Sequence, residues 1–280
     1  MGKFKQSLLI AGCGLRETFT DTKMVILLLV IGFIYDNGAR QMVESAKQVG
    51  APLGMTESFI MCLNDWKYAV LFLLGFMFLL VGVPRVNNEY IFFVQRAGKN
   101  IWLFGEVIHL FIVSLIYTAL LLIVCIAGIG TYSFIGNIWS DYVVDFEAKY
   151  RKTVGAANTV NASVYRYDYP YQTALNAFCL IVLCLLVLGT IVLIFSIINK
   201  KTSGLILCVV LIGCMVIFSG YRIWWMWLIP TSHSVIALHH IYVFKKYMVP
   251  LSYSYIYLLG LEAVLILTAH LLLRKKNYFK

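Results

Sequence analysis

Few residues of this 280-residue chain have the type and spacing needed for covalent or metal chemistry. Glu106 and His109 form a Glu-x-x-His pair, which a helix places on one face, as in di-iron bundles. Such a centre needs a second pair and further glutamates on facing helices, and the sequence supplies neither. The pair therefore reads as the hydrated or ion-paired mouth of a helix, near Arg96 and Lys99. His239 and His240 are adjacent and point about 100° apart on a helix, so with His233 they supply at most part of a zinc site. Aromatic-rich packing suits them better. Cys179 and Cys184 lack the CxxC spacing of a redox or zinc pair. Gly98-Lys99-Asn100 lacks the upstream glycine and the Ser or Thr of a Walker A loop, HExxH is missing, and no serine can be matched with an oriented base. The expectation is a chain with no catalytic residues, no metal and no cofactor of its own.

The elements that carry these residues are set by composition. Hydrophobic residues make up 61% and charged residues 13%, against about 25% charged in ordinary soluble domains. Mean hydropathy is +0.84. Whole runs are apolar on every face, which suits helices surrounded by hydrocarbon. Seven cysteines, six of them in or beside apolar runs, imply no disulfide framework, and Cys62 is placed in an outer loop. The first 23 residues lack the apolar core and cleavage site of a removable signal peptide. The net charge of +10 sits beside apolar runs rather than in a soluble basic stripe with stacking aromatics, so no nucleic-acid partner is expected.

About 20 apolar residues cross a bilayer, and the runs 66–83, 101–128, 173–198, 205–221 and 253–273 approach that length. Met24 to Tyr35 covers only about 18 Å as a helix and spans only if it continues through Asp36, Asn37 and Arg40. Gly50, Pro52 and Gly54 then make 41–65 a polar outer loop with short helical pieces. The reading is an all-α, multi-pass protein of the cell membrane: a single transmembrane domain over 1–280 with six spanning helices.

Lys and Arg favour the cytoplasmic side. With both termini inside, the inner segments hold 13 of the 23 basic residues against Glu17, Asp21, Glu89 and Glu106, whereas the outer segments hold ten bases and eight acids. Residues 1–23 place Phe4, Leu8, Leu15 and Phe19 on one face of an interfacial helix. The outer loop 129–172 carries seven tyrosines and Trp139, too aromatic for a linker, and is expected to fold on the helix ends. The stretch 221–252, with Trp224, Trp225, Trp227, Pro230 and Pro250, reads as a broken or re-entrant outer segment. Glu262 falls near the middle of the last span, where an ionised carboxylate costs roughly 2.5–3.5 kcal/mol. It must face a pathway or a hydrogen-bonding partner. Glu106, His109 and Glu262 are thus the candidate intramembrane polar or pathway residues.

The segment 84–101 follows a span with Pro84, Arg85 and Glu89, and continues through Arg96-Ala97-Gly98-Lys99 into the next span. With the interfacial N-terminal helix, the short link Asn199 to Gly204 and the broken outer segment, it resembles the membrane subunit of ABC-2 type exporters. The resemblance implies that Arg85, Glu89, Tyr90, Phe93, Arg96, Gly98 and Lys99 form a coupling element docked on a separate ATPase subunit, which would bind ATP and magnesium. It also implies a second membrane subunit, identical or not. The charge-poor apolar interior favours a hydrophobic or amphipathic cargo, a peptide among them. Two other classes fit the same residues: a membrane scaffold binding a partner through the tyrosine-rich loop, and an ion-coupled carrier using Glu262 or Glu106.

The charge count makes the orientation testable. With native cysteines removed, an impermeant thiol reagent applied to intact cells is expected to label a cysteine at position 145 and to leave cysteines at 201 and 276 unlabelled. The reverse pattern inverts the topology.

Overall fold

A computed structural model describes residues 2–82, 94, 96–130, 132–155, 157–221, 223–239 and 249–275. It is a helical bundle. Helix α1 spans Lys3–Thr20 and α2 spans Lys23–Gln48. Helices α3 (Glu57–Asn64) and α4 (Trp66–Leu80) are bent 80° from one another at Asp65, whose side chain caps α4 by accepting from Lys67 N–H at 2.9 Å. Four long helices follow: α5 (Lys99–Ile129), α6 (Pro170–Ile197), α7 (Lys201–Gly220) and α8 (Leu251–Lys275). Five helices, α2 and α5 to α8, are long and apolar enough to cross a membrane, and the bent α3–α4 pair makes a sixth if counted as one span.

The weak first span does continue through its polar residues. A π-helical turn over Tyr35–Arg40 carries α2 onward, and Arg40 joins Asp36 and Glu44, each at 2.8 Å and one turn away, in exposed ion pairs. The backbone stops at Gly50, with φ +71°. Beyond it the sequence reading needs correction. All eight residues of Glu57–Asn64 are buried, Cys62 included, instead of lying in a polar outer loop. Two residues, Leu53–Gly54 (β1), pair in parallel with Ser133–Phe134 (β2) and tie this segment to the loop after α5.

Helix α6 is the core of the bundle. Pro170 opens it at a position where no backbone N–H is needed, and 78% of its most apolar stretch is buried by protein, against 39% for α5 and 22% for α7 and α8. A turn with Asn199 at φ +58° and Lys200 N–H bonded to Phe195 O at 2.8 Å reverses the chain directly into α7.

The helix ends gather at two poles. At one, Lys23 and Asp21 lie against Gly82, Lys201 Nζ reaches Val81 O at 3.0 Å, and Lys99 Nζ reaches Arg274 O at 3.4 Å. At the other, residues 132–169 fold over the helix ends. Trp139 Nε1 donates to Asp168 O at 2.7 Å, and Asn158 Nδ2 donates to Asn37 O at 2.9 Å. Tyr142 is buried, and burial pushes its phenol up to about 12, so it remains a neutral donor.

Buried Glu57 pins that cover. Its carboxylate accepts from Gly54 N–H at 3.0 Å, Ser140 N–H at 2.6 Å and the Ser140 hydroxyl at 2.7 Å. Glu57→Ala leaves three buried donors unmatched and is expected to cost about 3 kcal/mol. Glu44→Ala, which removes an exposed ion pair, is expected to cost under about 0.5 kcal/mol. Thermal unfolding of both variants in one membrane mimetic checks the contrast.

Candidate functional site

Three polar nodes interrupt the apolar bundle, and each contains residues singled out in the sequence. The first joins α1 to α5. The contacts step in register along both helices: Ser7 Oγ donates to Ile101 O at 3.0 Å, Ile10 lies against Gly105, and Gly14 lies under the His109 ring. A Cβ at Gly105 would come within 2.9 Å of Ile10, and one at Gly14 within 2.7 Å of His109 Nδ1, so both glycines are needed for this approach. The small and polar face of α1 is therefore the docked one. Its larger apolar residues Phe4, Leu8, Leu9 and Phe19 stay exposed, available to lipid.

The Thr18 hydroxyl lies 2.9 Å from Gly14 O and 3.0 Å from His109 Nε2, and its one hydrogen serves one of the two. Nδ1 of the same ring faces Glu106 Oε2 at 3.4 Å. Both side chains are largely enclosed. The expectation that Glu106 and His109 share a helix face is met, but their third partner is Thr18 of α1 rather than Arg96 or Lys99.

The second node is far from the first. Glu262 lies on α8 with 6% exposure and accepts from the Thr190 hydroxyl of α6 at 2.7 Å. Its other oxygen, Oε2, is buried with no hydrogen-bond partner. Thr190 is the one side chain that meets Glu262 among the described residues. The carboxyl thus faces a neighbouring helix, and its unmatched oxygen is a buried acceptor without a donor among the described residues.

The third node was not assembled by sequence reasoning. The broken segment after α7 runs as Trp224–Leu228, Pro230–Ser234 and Ile236–His239. Thr231 donates to Leu211 O at 3.1 Å, halfway along α7, so this segment dips back beside the helices. His233 and His239 both point at the hydroxyl of Ser254 on α8, from 2.7 and 2.6 Å. Each ring gives its other nitrogen to a backbone carbonyl, Trp227 O at 3.0 Å and Val235 O at 3.1 Å, which can only accept. With both rings neutral, the hydroxyl can donate to only one of them. His233 also stacks on Tyr257, with ring centroids 4.3 Å apart. Among the described residues no three His, Cys, Asp or Glu side chains gather as a metal site. His240 lies outside the described residues.

The coupling element is described only in part. Arg85, Glu89, Tyr90 and Phe93 lie outside the described residues. Arg96 is exposed. Gly98 precedes α5 at φ +91°, a conformation side chains rarely adopt, and Lys99 reaches the end of α8. Comparison of the chain with protein-family models, with curated proteins and with solved structures finds no match.

The Thr190–Glu262 pair is open to mutation. Thr190→Val strands both carboxyl oxygens and is expected to cost about 1–3 kcal/mol, read as a lower unfolding temperature. Glu262→Gln retains an oxygen that can accept from Thr190 and is expected to cost less than half as much. Equal losses would mean that the bond contributes nothing.

Proposed function

We propose that this chain is the membrane-spanning subunit of an ABC-type exporter, driven by a separate ATPase subunit that binds ATP and magnesium. It pairs with a second membrane subunit, a second copy or a sister chain, in the cell membrane. Both termini and the basic pole face the cytoplasm, and the pole covered by residues 132–169 faces outward. The cargo is hydrophobic or amphipathic, consistent with a bundle interior that holds few charges.

The observation that carries this reading is the basic pole. Lys23, Lys201, Lys99, Arg274 and Lys275 belong to four different helices, and three backbone or side-chain contacts tie their ends together. The end of α4 at Val81 and Gly82 and the start of α5 at Lys99, which flank residues 83–93 in sequence, both lie at this pole. A push on that link is delivered to α4 and α5 at once, and α5 carries α1 with it through the His109 node. An ATPase seated there acts on one connected set of helix ends, as mechanical coupling requires. In this reading Arg85, Glu89 and Arg96 make the rim contacts, while Tyr90 and Phe93 enter the ATPase cleft.

Replacing Glu89 and Arg96 together by alanine is expected to lower export and cargo-stimulated ATP hydrolysis at least tenfold. Insertion, topology and unfolding temperature should stay at wild-type values. The measurement is coupled hydrolysis after co-expression with the partner ATPase, sought first as a neighbouring gene with Walker A and signature motifs. Wild-type hydrolysis and co-purification in the double variant would assign residues 84–101 to an ordinary headgroup-resting loop and remove the main support for the exporter.

A further inference from the structure

A cleft of about 720 Å³ opens where the α3–α4 bend, the far end of α7, the re-entrant segment and the covering loop meet. That volume lies in the range of small-molecule sites. Its apolar wall comes from Met61, Val143, Phe146, Met215, Val216 and Leu238. Trp66 and Tyr165 add aromatic faces, and Trp66 is 55% exposed.

The charge of the lining is one-sided. Among the described residues Asp65 and Glu147 are its only charged side chains, and both are acids. Glu147 pairs with Arg151, one turn along and outside the lining. Asp65 has no ion pair among the described residues. One of its oxygens caps α4 through Lys67 N–H, which leaves the other for a ligand. A half-buried carboxylate beside an exposed indole, over an apolar wall, selects a cation that also carries an apolar body. Among the described lining residues an anionic headgroup would meet two acids and no base.

We infer that this cleft is a binding site for an amphipathic organic cation, with an ammonium, phosphonium or guanidinium centre held at Asp65 and Trp66 and the apolar body against α7. This goes beyond the exporter reading and requires only the chain itself.

Gly220 supplies the decisive variant. It lines the cleft at the end of α7, and a Cβ there meets nothing within 4 Å, so a large side chain starts from open space at the cleft wall. The full chain is placed in phosphatidylcholine nanodiscs, and binding of radiolabelled tetraphenylphosphonium is measured against empty nanodiscs. Saturable binding, displaced by dodecylammonium, is expected for the wild type. Gly220→Trp should weaken it at least tenfold. Asp65→Asn, which keeps the cap on α4, should weaken it about fivefold, as for one partly exposed charge pair. Tetraphenylborate, of the same shape and opposite charge, should show no saturable component. The inference is overturned if the cation shows none either, if the borate binds equally well, or if Gly220→Trp binds normally. Should Gly220→Trp unfold at a lower temperature, Asp65→Asn decides alone, and affinity within twofold of wild type rejects the site. No ATPase enters this assay, so its failure leaves the exporter reading standing, and loss of that reading leaves the site.

Discussion

In a bilayer the hydrophobic effect does not hold one apolar helix against another, so the bundle depends on how closely backbones approach the Pro170–Ile197 helix. Close approach is built in at small residues. Gly189 meets Leu110 of α5, where a Cβ would come within 3.1 Å of a methyl group, and a Cβ at Gly204 of α7 would come within 2.7 Å of Phe195. Dispersion between tightly packed atoms replaces the missing solvent force, each contact small and the sum large. Polar atoms then add direction. Cys208 Sγ meets Leu188 O at 3.6 Å, Tyr255 donates to Asn176 at 3.0 Å, and Thr190 donates to Glu262. All three orient α7 or α8 on the same central helix.

The covering loop obeys a different rule because it borders water. There buried Glu57 gathers three donors from two segments onto one carboxylate, and those bonds offset the cost of enclosing it. The strand pair Leu53–Gly54 with Ser133–Phe134 is too short to be stable alone. It holds because Glu57 sits one turn away and bonds to Gly54 and Ser140 on either side of it. The tyrosines here divide: Tyr142 stacks with Tyr150, centroids 6.2 Å apart, and meets Phe146 edge-on, whereas Tyr167, Tyr169 and Tyr171 are exposed.

The long helices were legible in the sequence because lipid imposes a length and a composition together. The runs 101–128 and 253–273 lie inside helices Lys99–Ile129 and Leu251–Lys275, and 173–198 and 205–221 overrun Pro170–Ile197 and Lys201–Gly220 by one residue each. What escaped depends on contacts between distant segments. Glu57–Asn64 carries a charge and two polar ends, which read as loop, but its partner Ser140 lies 83 residues away. His109 and Glu106 were visible as a pair, whereas Thr18 and Gly14 had no mark beyond a small residue every fourth position on α1. Ser254 was silent for the same reason: a lone serine in an apolar run says nothing until two histidines converge on it. Of the stripe read on α1, Phe4, Leu8 and Phe19 are exposed while Leu15 packs against the core, and that reading suggested no reason for the docked face to be small.

The polar nodes also divide the bundle. Thr18–His109, Ser7–Ile101 and Tyr117 to Phe72 O join α1, α4 and α5 into one group. Thr190–Glu262, Ser254 with its two histidines, and Thr231 to Leu211 O join α6, α7, α8 and the re-entrant segment into another. Among the described residues, the bonds that cross between groups lie at the poles: Lys201 to Val81 and Lys99 to Arg274 at one, Asn64 and Ser163 to Ala237 at the other. Between the poles the boundary is apolar, as where Leu110 meets Gly189. A buried polar bond has a preferred geometry and is costly to break, whereas an apolar contact tolerates small sliding at little cost. Relative motion of the two groups therefore meets its least resistance at membrane depth. Its ties sit at the ends, where long lysine side chains can follow a displacement and where, in the proposed exporter, the ATPase on one side and the cargo on the other would act.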